Sequence, residues 1–224
     1  VATLFASGTP SLNVGQLSDE DVARLLVKLR PLPELGGYWL QKLLADLSEQ
    51  FAWQLAAFFM QRVEDAASLV GTSMRPCNHG PWQQEPLRFR RSSDCGAIMR
   101  AFVAWMQENT GRRDLFPYHL RELFSAMFSP FDAEIVGFLT GWLDTATPRD
   151  IEIIADVLSE ALRDFVFRES AFVSRLLEKA QRAGTKTYNM AIGALYRSAI
   201  SGMKSGTPGM PFPEDIALRD QAEA

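Results

Sequence analysis

Apolar residues along this chain recur mainly at helical spacing. Leu40, Leu43, Leu44, Leu47, Phe51, Leu55, Phe58 and Phe59 fall three or four apart, with adjacent doublets. That pattern is one face of a 3.6-residue helix. Spacing alone leaves open whether this is one long helix or two broken near Ser48–Gln50. Upstream, Ser18 followed by Asp19-Glu20-Asp21 reads as an N-cap with acids complementing the helix dipole. That helix should run to about Arg30 and stop before Pro31-Leu32-Pro33.

The period is lost over 67–93. Gly71 to Trp82 holds two prolines and two glycines besides its polar residues, so it reads as a loop. Leu87 to Arg91 alternates apolar and basic residues, but a single short strand would have no partner, so it too reads as loop. Stripes then resume: Ile98, Ala101, Phe102, Trp105 and Met106; Leu120, Leu123, Phe124, Met127 and Phe128; Ile135, Phe138, Leu139, Trp142 and Leu143. Three more follow: Ile151, Ile154, Val157, Leu158 and Leu162; Phe172, Val173, Leu176, Leu177 and Ala180; Tyr188, Ala191, Ile192, Leu195 and Ala199. Ser129-Pro130-Phe131-Asp132 and Thr147-Pro148-Arg149-Asp150 share one start grammar, a cap, then Pro at the first helical position, then an acid. Gly184 ends one helix, and Gly202, Gly206 and Pro208 end the last long one. After Pro213 a short acidic helix is expected.

Eight to ten helices and no strand predict an all-α fold. Cap-like starts near Ser93, Ser129 and Ser170 are 36 and 41 residues apart, and each unit would hold two amphipathic helices. A helix pair of that length cannot bury its stripe alone, so neighbours must stack. In this period and capping the chain resembles the HEAT-type helical-repeat proteins over roughly residues 94–203. The resemblance implies an irregular HEAT-like α-solenoid of stacked antiparallel helix pairs, with an irregular helical bundle as the alternative. The expected organisation is an arm over 1–17, a helical subdomain over 18–70, a long loop over 71–93, repeats over 94–203 and a tail over 204–224.

With 47% apolar residues, 22% charged residues and a net charge of −4 over 224 residues, the chain is globular rather than disordered or fibrous. No stretch reaches the roughly 18 apolar residues of a membrane span. The start lacks a signal-peptide pattern, and its lack of Met reads as a trimmed or excerpted boundary. Two cysteines, Cys77 and Cys95, fit reduced thiols and a cytoplasmic setting.

Chemistry-bearing motifs are sparse. No phosphate-binding loop, dinucleotide fingerprint, zincin motif or nucleophile elbow occurs. Cys77, His79, Cys95 and His119 are all the cysteines and histidines, and they span 43 residues. Thiolate and imidazole suit tetrahedral zinc, which makes a zinc-binding helical protein or enzyme one alternative. Their spacing matches no familiar knuckle, so no cofactor or metal is assigned. Residues 82–121 hold seven arginines against four acids. Arg88, Arg90, Arg91, Arg112 and Arg113 would form a basic patch, with Trp82 and Phe89 as stacking faces. A patch of that kind permits nucleic-acid binding as a second alternative, disfavoured by the acidic chain and by local pairing. Trp39, Trp53, Trp105 and Trp142 fall on or beside stripes and read as core, whereas Trp82 lies in the long loop. The composite expectation is a non-catalytic interaction module for a protein or peptide, part of a larger assembly, contacting its partner through Trp82 and these arginines.

Overall fold

The computed structural model describes residues 14–68, 74–77, 86–109, 116–161 and 164–200. Every regular element among them is helical: α1 (Asp19–Leu29), α2 (Tyr38–Gln50), α3 (Ala52–Ser68), α4 (Cys95–Glu108), α5 (Phe116–Phe128), α6 (Ala133–Thr145), α7 (Pro148–Leu158), α8 (Phe165–Arg168), α9 (Ser170–Ala183) and α10 (Thr185–Ile200). Short 3-10 turns cover Val14–Gln16 and Phe89–Arg91. The fold is all-α, and the alternating Leu87–Arg91 segment is a loop closed by one of these turns, with Phe89 buried. Trp82, His79, Arg112, Arg113, Leu162 and the segment after Ile200 lie outside the described residues.

The chain divides into two compact units, Val1–Phe128 and Ser129–Ala224. The boundary falls inside the span read as repeats, not in the 71–93 connection. Local chemistry explains the helix starts. Asp21 N–H donates to Ser18 Oγ at 3.2 Å, and the Asp21 carboxylate accepts from Ser18 N–H and Oγ. Those bonds, the Ser18 hydroxyl first, hold the Asp21 carboxyl below the usual carboxylate range. The long apolar stripe over 40–59 breaks at Phe51, whose φ of −124° and ψ of 44° leave the helical region while its N–H still donates to Leu47 O.

The Thr147 start is built as its sequence predicts, with Pro148 at the first helical position and a reciprocal box to Asp150. The other three differ. At α6 the cap is Asp132, which accepts from Glu134 N–H and Ile135 N–H. Pro130 therefore precedes the cap instead of following it, because the Asp132 carboxylate reaches two orphan amides at once. At α4 the cap position belongs to Asp94, and at α9 to Glu169, neither with a side-chain cap bond. None of Ser93, Ser129 and Ser170 caps a helix, so the 36- and 41-residue spacing is not a spacing of caps.

In the first unit, α3 packs against α1, α2, α4 and α5. Phe102 of α4 meets Phe124 and Phe128 of α5 with ring centroids 6.2 and 6.1 Å apart, within the range of favourable edge contacts. Arg62 of α3 is wholly buried among them, at 0% exposure. Its Nη1 donates to Leu29 O, Arg30 O and Leu32 O, its Nε to Pro76 O and its Nη2 to Arg75 O. One side chain thus ties the end of α1 to the start of the long connection, which α2 ties down at its other end through Ser48 Oγ and Arg88 N–H at 2.6 Å.

In the second unit, α10 packs on α7 and α9. The face it buries is small-sided: Thr187, Ala191, Ala194, Leu195 and Ser198. Small side chains let the backbones approach closely, so Ile192, placed in the stripe by spacing, instead points to solvent beside Tyr196. Phe138 is likewise only partly buried, since Ile135, Leu139 and Leu143 fill the inner face of α6. Gly184, with φ at 126°, makes the turn between α9 and α10 in a region that side chains with a Cβ avoid.

Candidate binding cleft

Three helix starts meet around one cleft in the first unit. Asp19 opens α1, Phe51-Ala52-Trp53-Gln54 turn from α2 into α3, and Arg91-Ser92-Ser93-Asp94 lead from the 3-10 turn into α4. With Glu49 and Gln50 from the end of α2, these segments surround about 600 Å3. A volume of that order is typical of ligand pockets. Trp53 lines it and stays 43% exposed.

Three carboxylates and one guanidinium stand in the lining. Gln54 Nε2 donates to Asp19 Oδ1 at 3.2 Å. Arg91 Nη1 lies 3.7 Å from Glu49 Oε2. Asp94 occupies the α4 cap position without a side-chain cap bond.

The arginines of the expected patch divide. Arg88 Nη1 binds Asp46 Oδ1 at 2.6 Å and lies 3.9 Å from Glu49, so it is held against α2. Arg90 Nη1 reaches Phe128 O at 3.4 Å, turning inward. Arg91 lines the cleft and is the most exposed of the three at 66% of its side chain. Local pairing therefore takes up much of the basic run.

Of the four candidates in the alternative zinc reading, His79 lies outside the described residues, and Cys77, Cys95 and His119 form no metal-binding group among them. Cys77 is buried in the connection beside Arg62, and Cys95 is buried at the first position of α4. His119 lies on α5 with Nδ1 4.0 Å from Glu122 Oε2. No group of three histidine, cysteine or acidic side chains among the described residues could hold a metal ion.

Trp53, Asp19 and Asp94 were not legible as site residues, since a core role and capping accounted for them. Trp39 is also no core residue, standing 50% exposed against Tyr38, with Lys42 Nζ 5.9 Å from its ring. For Trp53 a signal existed. It is two residues from both Phe51 and Leu55, about 200° around the helix from each. Trp105 and Trp142 do pack inward, donating to Glu64 and Asp150.

No described helix is long and apolar enough to cross a membrane. Comparison with protein-family models, with curated proteins and with solved structures finds no match.

Proposed function

We propose that the chain is a non-catalytic helical interaction module that binds a protein or peptide partner, as one part of a larger assembly. Its helix pairs would stack in the HEAT-like manner, and two buried thiols fit a reducing, cytoplasmic setting. The observation that carries this reading is Trp53, a large indole left 43% exposed on a polar cleft. Tryptophan is the residue type most enriched among binding hot spots, where its rigid face excludes water from neighbouring polar contacts. Arg91 on the same cleft is proposed as part of the contact surface, and Trp82, Arg112 and Arg113 are proposed for it from the sequence alone.

The test is a random peptide library panned against the full chain. Recovered peptides are then titrated by fluorescence anisotropy against wild type and Trp53→Ala. A consensus should emerge, bind saturably and lose about tenfold in affinity with the variant. Absence of any saturable peptide overturns the proposal.

A further inference from the structure

We propose that the outer side of α10 is a docking site for this chain's own segment 210–218, returning along the helix from its C-terminal end. Tyr188, Ile192 and Tyr196 stand four apart on α10. Residues at that spacing share one side of a helix. Tyr196 is 63% and Ile192 42% exposed, while the seam of Ala191, Ala194, Leu195 and Ser198 is buried. No charged residue stands on the side these three form. Lys186 and Arg197, the charged residues of α10, turn to Glu152 and Asp156 of α7 at 4.0 and 3.7 Å. An uncharged stripe with two tyrosines has the composition of an interface core rather than of its rim.

The occupant is read from the sequence that follows. Residues 201–224 lie outside the described residues and continue the chain from the end of α10. Tyr188 is about 18 Å from Ile200 along the helix. Ten extended residues reach about 33 Å, so the chain beyond position 209 has the length to reach every part of the stripe. Met210, Phe212, Ile216 and Leu218 supply apolar side chains. Pro208, Pro211 and Pro213 reduce the freedom that such a segment loses on docking. Charge runs in a matching order. A segment returning from Ile200 meets Tyr196 and Ile192 first, then exposed Lys186 and Arg182 beyond them. Phe212 likewise comes first in the segment, with Glu214, Asp215, Asp220 and Glu223 after it. Over 170–200 five basic residues stand against one acid, and over 213–224 four acids stand against one arginine. Opposite charges in that order favour the returning direction.

The test places photoreactive benzoylphenylalanine at Ile192 of the full chain and maps the cross-linked tryptic peptides by mass spectrometry. Ile192 is solvent-facing, so a thermal melt should show the substituted chain folded, and a second probe at Tyr196 repeats the measurement. The expected product joins position 192 to the peptide 205–219, which lies between Lys204 and Arg219 cleavage, in a species of single-chain mass. Phe212→Asp combined with Ile216→Asp should lower its yield about tenfold, since both apolar contacts are lost. The same probe at Met190, exposed on the opposite side of α10, should give little of it. The proposal is overturned by absence of the 205–219 product at both probe positions, or by equal yields from Ile192 and Met190. A product of doubled mass also overturns it, because the stripe would then be covered by a second copy of the chain.

Discussion

Arg62 shows how one side chain can organise a connection that has no periodic structure of its own. Burial pushes its guanidinium pKa down to about 10, with Cys77 and Asp65 opposing that shift, so it remains charged at neutral pH. Its five carbonyl partners come from two separate segments. Arg62→Met should cost at least about 3 kcal/mol by urea denaturation, since it strips charge-assisted bonds from buried carbonyls. A loss below about 1 kcal/mol would mean the carbonyls find water instead. Nearby, Arg30 donates to both oxygens of Asp65, at 2.6 and 2.8 Å. Those bonds hold the Asp65 carboxyl below its usual range. A depressed carboxylate contributes stability that is complete above the unfolded value of about 3.9 and is lost as pH falls through the folded value. Asp65→Asn should therefore lower stability near neutral pH and flatten its decline below about pH 4; an unchanged acid limb in a pH series of urea melts would rule this out.

Helix ends divide by whether a short polar side chain stands at the cap. Thr147 and Asp150 satisfy each other's backbone at the α7 start, and Asp150 also accepts from Trp142 Nε1 at 3.3 Å. Thr147→Ala should cost about 1 kcal/mol, read as a shift in urea midpoint with unchanged slope. Ser93→Ala should change almost nothing, because Ser93 caps no helix. The contrast explains what was legible. Ser18 and Thr147 could be read from sequence because cap, acid and apolar run agree within four residues. Asp132 could not, because Ser129-Pro130 offered the same grammar three residues earlier and only the turn geometry decides between them.

At the scale of the whole molecule, helical periodicity predicted the long helices but left open the break in the 40–59 stripe, which falls at Phe51. It could not predict which side of a helix finds a neighbour. Ile192 and Ala191 are adjacent, and the small-sided face is buried because it admits α7 closely. Nor could it place the cleft, which joins Asp19, Glu49, Trp53 and Asp94 from positions up to 75 apart in number. Such convergence depends on long-range packing of α1, α2, α3 and α4, for which local spacing carries no signal. The basic run was visible as composition, yet Asp46 and Glu49, which hold Arg88, lie some 40 residues away.

The narrow seam formed by Ala191, Ala194 and Ser198 also sets where this chain can drift. Lys186 and Met190 face outward and tolerate exchange, whereas a bulkier residue at Ala191 or Ala194 must wedge two backbones apart. Sequence variation in α10 should therefore be lopsided, generous on its wet side and nearly frozen along its alanines.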